Sequence, residues 1–240
     1  MGVPRSIFKA ILTVGVFVLA SCQTTGIKLS DGSVMEAFLY KPSGKGPFPA
    51  VIVLHHSRGL TDDIKDFSDE LAGEDYVTLA VYYTTGGGWF SNKVGDAYDY
   101  LQKLPEVDAH RLAIVGFSKG ARLGMGVPID WKSERPPRPL RAFVSYYVGN
   151  SIDVMPTPDL PPILFLHGDR DPEVSAKEVV AFCDEQKQLG NVCEAKILRG
   201  ASHAFTRKTF YGPYDHQATV DAFKHTVAFL TKHLRDAPTN

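Results

Sequence analysis

The chain has little cysteine, almost no net charge and no long apolar run, and each shortage excludes a class of protein. Its three cysteines fall in no zinc-type spacing, and no EF-hand loop is present. A formal net charge of −1 leaves no basic field to gather nucleic acid phosphates. There is no internal repeat, coiled-coil heptad or low-complexity tract. The longest apolar stretch, Ala10 to Ala20, falls short of the roughly 20 residues that a membrane-spanning helix needs. What is present, 44% hydrophobic and 22% charged residues in 240, describes a globular chain able to bury a sizeable core.

The first 22 residues differ from the rest. Arg5 and Lys9 precede the apolar stretch, and Leu19-Ala20-Ser21-Cys22 follows. A basic head, a short apolar run and small residues at the end form a secretory signal. Leu-Ala-Ser-Cys also resembles the bacterial lipobox, which implies acylation of Cys22 and a mature chain that begins there. The alternative is an ordinary signal peptide with a cysteine after the cut. The boundaries are thus a signal peptide over 1–21 and one α/β domain over 22–240. Gln23 after the cysteine, rather than Asp, points by the same resemblance to the outer membrane. Export permits a disulfide between Cys183 and Cys193, which bracket a helix end, the Gly190-Asn191 turn and a strand start. Two separate buried thiols are the alternative.

From residue 50 onward, strand and helix patterns alternate. Two antiparallel strands are expected near 26–29 and 34–40, turning at Asp31-Gly32. Parallel strands are expected over 50–55, 77–82, 111–116, 141–147, 163–167 and 192–198. Helices are expected from the Thr61 N-cap to about Gly73, over 96–104, from about Ser118, over 173–189 behind Pro172, and over 216–234. The Pro- and charge-rich segment 128–140 reads as a surface excursion. This pattern predicts a mostly parallel sheet with helices on both faces and no large cap domain.

Chemistry concentrates at the strand ends. The strand ending at Gly116 runs into Gly116-Phe117-Ser118-Lys119-Gly120, a G-x-S-x-G that opens a helix. A sharp strand-to-helix turn exposes the serine, and the flanking glycines avoid a clash. A serine N-cap in a glycine-rich turn is the bland alternative. A serine hydroxyl needs a base, and the base needs a carboxylate to fix its tautomer. Downstream, one strand ends in Gly168-Asp169-Arg170-Asp171-Pro172 and the next leads to Gly200-Ala201-Ser202-His203. Ser118, Asp171 and His203 therefore share one edge of the sheet, in the chain order of α/β-hydrolase triads. Asp171 is preferred to Asp169, which sits where a turn itself favours Asp. The oxyanion donors expected are the backbone N–H groups of Lys119 and Ser57. The pair His55-His56 raises a metal site only weakly, because neighbours on a strand point to opposite faces; no metal or organic cofactor is required.

These segments resemble the dienelactone hydrolase family of α/β-hydrolases. The resemblance lies in the 51–60, 107–118, 167–172 and 200–205 stretches and covers about residues 30–235. It implies Asp171 as acid, His203 as base and Ser57 as second oxyanion donor. Two departures stand out: the namesake enzymes carry Cys where this chain has Ser118, and Glu where it has His56. The family's anion-binding arginine matches Arg207, which the resemblance implies as a substrate-carboxylate partner; a plain surface charge is the alternative. Trp89, in the glycine-rich segment 84–90, is a candidate for lining an acyl pocket, as is Phe90; packing on the sheet is the alternative. The expected activity is cleavage of a small carboxylic ester or lactone through an acyl-enzyme. A peptidase on the same fold, or an envelope binding protein with a dormant triad, are the competing readings.

Overall fold

The computed structural model describes residues 21–85, 88–132, 138–208 and 214–236. Eight strands form one sheet: β1 (Ser21–Lys28), β2 (Val34–Lys41), β3 (Phe48–Leu54), β4 (Val77–Val81), β5 (Val107–Phe117), β6 (Ala142–Tyr146), β7 (Ile163–Gly168) and β8 (Cys193–Leu198). Their order is β1-β2-β4-β3-β5-β6-β7-β8. β1 and β2 are antiparallel additions at one end, and β4 through β8 run parallel with β3. This is the α/β-hydrolase-like architecture expected.

Period-two alternation divides each central strand between two cores. Ala50, Ile52, Leu54, Leu112 and Ile114 face one side with α2 (Phe90–Gln102), α4 (Val127–Trp131) and α5 (Ala176–Gln188). Val51, Val53, Ala113, Val115 and Phe117 face the other with α1 (Asp62–Gly73) and α6 (His216–Leu230). Both faces are covered, so the strands read as continuous apolar runs. Among the described residues, no helix is long and apolar enough to cross a membrane.

Several boundaries differ from expectation for local reasons. α2 starts at Phe90, six residues early, because Phe90 packs edge-on against Tyr83 at 5.0 Å and anchors the first turn. The helix after Ser118 is broken into α3 (Lys119–Gly124) and α4, which has Pro128 in its first turn. Segment 128–140 is not all surface: Trp131 is buried against Tyr98, while 133–137 lie outside the described residues. α5 does not begin behind Pro172. Ser175 and Glu178 form a reciprocal capping box, which delays the start to Ala176. α6 ends at Leu230 and passes into a π turn, Thr231–Arg235. The signal segment 1–20 lies outside the described residues. Residues 23–26, polar though they are, belong to β1, where every residue pairs with β2.

Candidate active site

Ser118 sits between β5 and α3 with φ 49° and ψ −113°, a conformation that a residue other than glycine adopts only under constraint. Its neighbours supply the constraint. Ser118 N–H donates to Tyr146 O at 3.0 Å, and Arg122 N–H donates back to Ser118 O at 3.0 Å. A Cβ at position 116 would lie 2.6 Å from Gly120 O, and one at 120 would lie 2.6 Å from His55 O. The two glycines of the motif thus let the turn close and let α3 press against the end of β3.

That close approach brings Lys119 beside the loop that carries Ser57. Lys119 is the first residue of α3, so its N–H has no intrahelical acceptor. The loop is held by its two histidines. His56 is buried; its Nδ1 accepts from Arg58 N–H at 3.2 Å. Its Nε2–H then points at Thr61 Oγ1 (3.1 Å) and Asp63 Oδ2 (3.3 Å). Burial pushes the Asp63 carboxyl up, but the hydrogen bonds from His56 and Thr61 outweigh it and hold it below its ordinary value. His55 stacks on Tyr83 at 4.1 Å, and its carbonyl accepts from the Tyr83 hydroxyl at 2.7 Å. Burial lowers its pKa to about 4, so it stays neutral. The two side chains serve different neighbours, and among the described residues no group of three His, Cys, Asp or Glu converges as a metal site would require.

Ser118 Oγ lies 2.9 Å from His203 Nε2, and His203 Nδ1 lies 2.9 Å from Asp171 Oδ2. Asp171 has no exposed side-chain surface, His203 is 13% exposed and Ser118 is 9% exposed. The serine and histidine are therefore open to solvent, and the acid is not. Asp171 Oδ1 accepts from Glu173 N–H at 2.8 Å. Burial alone would raise the Asp171 carboxyl; the hydrogen bonds from His203 and Glu173 N–H, with the adjacent imidazoles, reverse that and keep it low. Asp169 faces elsewhere: its Oδ1 accepts from Gly200 N–H at 2.6 Å and shapes the turn ahead of His203.

The other sequence candidates fare unequally. Arg207 follows His203 in the same loop, its N–H donating to Ala204 O at 3.0 Å, and the Tyr147 ring meets His203 edge-on at 5.3 Å. Trp89 is the N-cap of α2 and 81% exposed, while its neighbour Phe90 packs on Tyr83. Cys22 is free and exposed on β1. Cys183 and Cys193 are joined, with Cα atoms 5.2 Å apart.

Two elements escaped the sequence reading. Tyr147 has φ 34° and donates or accepts a 2.6 Å hydrogen bond with Thr206, bracing the His203 loop. Glu173 places Oε1 at 3.3 Å from His203 Nε2 and accepts Asn150 N–H on Oε2 at 2.9 Å. The signal for Glu173 was present in the Ser175-x-x-Glu178 box, which leaves residue 173 in the catalytic-edge loop rather than in a helix.

A strand-turn-helix serine, a histidine and a buried carboxylate at one end of a parallel sheet define an α/β-hydrolase site. The chain belongs to the dienelactone hydrolase family, whose model matches residues 35–93 and 84–234. A Bradyrhizobium protein described as a probable 2-oxo-3-(5-oxofuran-2-ylidene)propanoate lactonase is 28% identical, with 85% of this chain and 92% of that protein covered. In structure, the chain resembles a dienelactone hydrolase-like promiscuous phosphotriesterase from metagenomic libraries, with a TM-score of 0.75 at 20% identity, covering 90% and 99% of the two chains. It also resembles a thermophilic esterase from Thermogutta terrifontis, with a TM-score of 0.69 at 19% identity, covering 88% and 92%. At those identities the structural likeness concerns the fold alone. Family membership makes the protein a carboxylic ester hydrolase, acting on esters or lactones.

Proposed function

We propose that the protein cleaves carboxylic esters or lactones through an acyl-enzyme on Ser118. The observation that carries this reading is the unbroken chain from Ser118 Oγ to His203 to Asp171, with 2.9 Å at each link. Asp171 accepts from His203 Nδ1–H, which leaves Nε2 to take the proton of the Ser118 hydroxyl. Ser118 Oγ then attacks the carbonyl carbon. Lys119 and Ser57 N–H groups stabilise the oxyanion, each contributing about 3–4 kcal/mol in comparable sites. His203 Nε2–H protonates the leaving alkoxide, and a water activated by the same nitrogen hydrolyses the acyl-enzyme. Every step runs on this chain's own groups. Arg207 is a candidate for holding an anionic part of the substrate near Tyr147 and His203.

The test is substitution. Ser118→Ala and His203→Ala should each lower kcat/KM for a soluble ester by at least about a thousandfold while the fold persists. Activity in Ser118→Ala above roughly a tenth of wild type overturns the reading, since loss of a working nucleophile leaves orders of magnitude less. Screening amino-acid amides beside esters and lactones separates a peptidase from an esterase.

The chain is further proposed to be exported and anchored through a lipid on Cys22. The Cys183–Cys193 disulfide supports export, because such bonds persist in oxidising compartments. The exposed thiol at the start of an edge strand is compatible with acylation.

A further inference from the structure

We propose that Glu173 selects substrates by the charge on their alcohol portion, favouring cationic and disfavouring anionic leaving groups. The inference rests on the serine-hydrolase reading above and adds a specificity residue to it.

Glu173 is two residues past the buried acid, yet its carboxylate reaches the opposite side of the histidine. Oε1 lies 3.3 Å from His203 Nε2, the nitrogen that also faces Ser118 Oγ. Its position is set from across the site. Asn150, with φ 62°, donates its N–H to Oε2 at 2.9 Å. Gly149 makes room for the approach: a Cβ there would lie 2.7 Å from Ser118 Oγ and 3.3 Å from Glu173 Oε2. Nucleophile, base and extra carboxylate are therefore packed around one point, and the Glu173 side chain is still 37% exposed to an incoming substrate.

The chemistry at Nε2 fixes which half of the substrate meets this charge. In the resting tautomer Nδ1 carries the proton, so Nε2 and Glu173 are both acceptors and form no hydrogen bond with each other. Nε2 then takes the serine proton and passes it to the leaving oxygen. That oxygen must come within hydrogen-bond reach of Nε2, which brings the alcohol portion next to Glu173. The acyl oxygen points instead at the Lys119 and Ser57 N–H groups. A cation on the alcohol gains attraction from the carboxylate, and an anion meets repulsion, in a cleft that screens less than bulk water.

Three butyrate esters read this directly: butyrylcholine, its uncharged isostere 3,3-dimethylbutyl butyrate, and the butyryl ester of glycolate. Wild type should favour the choline ester over its isostere by about tenfold in kcat/KM, and disfavour the glycolate ester by a similar factor. Both preferences should shrink in high salt. Glu173→Gln keeps an acceptor for Asn150 N–H and should collapse both ratios toward unity. A carboxylate that only stabilised the imidazolium would change all three esters alike and leave the ratios where they were. Equal ratios in wild type and Glu173→Gln, with Ser118→Ala inactive on all three, overturn this inference alone. Turnover of the three esters undiminished in Ser118→Ala overturns the serine reading instead.

Discussion

Asp169 and Asp171 stand two residues apart in one loop, and burial and direction separate their tasks. Asp171 gives Oδ2 to His203 from a site with no exposed surface, whereas Asp169 caps the Gly200 turn. Asp171→Asn should lower turnover by roughly a hundredfold to ten-thousandfold, because an amide can hold His203 in the wrong tautomer. Asp169→Asn should retain most activity and act mainly on the melting temperature. Steady-state rates and thermal unfolding of both variants check the ranking, and the reverse order would exchange the roles. His55 offers a second test. It is fully buried beside Tyr83, and burial lowers its pKa from 6.5 to about 4. Below pH 6.5 the unfolded chain takes up a proton that the folded state refuses. Its contribution to stability is complete above that pH and falls as pH drops toward 4, by up to about 1.4 kcal/mol per pH unit. Denaturant titrations at pH 7 and pH 5 should show this loss, and His55→Gln should show less of it.

The disulfide belongs to the scale of elements. It joins α5, which follows the acid loop, to β8, which precedes the histidine loop. Closing so short a loop is worth about 3 kcal/mol on chain-entropy grounds. Replacing Cys183 and Cys193 by Ala, or reducing the bond, should lower the melting temperature by roughly 5–10 °C. An unchanged melting temperature would mean that packing alone holds α5 to β8. Much of this scaffold was legible in the sequence because doubly covered strands leave apolar runs that no loop imitates, as at 50–54 and 163–167. The order of strands and glycine-bounded turns then put Ser118, Asp171 and His203 on one edge. What stayed hidden depends on contacts distant in the chain. The start of α2 depends on Phe90 meeting Tyr83, and the length of β1 depends on pairing with β2, since Gln23, Thr24 and Thr25 carry no apolar signal. The active-site place of Glu173 was obscured by Pro172, which suggested a helix start, although the local Ser175–Glu178 box set the true one.

Across the whole molecule, the sheet sets where the chemistry lies relative to the start of the described chain. Cys22 pairs with Tyr40, and Tyr40 with Thr78, near the beginning of the parallel strands. Ser118, Asp171 and His203 follow the ends of β5, β7 and β8, at the opposite edge. A lipid on Cys22 would hold the molecule by its far side, with the active-site edge directed away from the bilayer. Wild type is expected to partition into detergent and incorporate labelled fatty acid, and Cys22→Ser to lose both without losing hydrolysis of a soluble ester. A wild-type protein that stays in the aqueous phase with its N-terminus elsewhere would remove the anchor and leave the catalytic account intact. That account turns on one covalent bond. Peptide mass spectrometry after brief exposure to a fluorophosphonate, or to an ester that deacylates slowly, should find the adduct on Ser118. The adduct should be absent in Ser118→Ala and form far more slowly in His203→Ala. Ester turnover with no adduct on Ser118, or an adduct carried by another residue, would contradict the account.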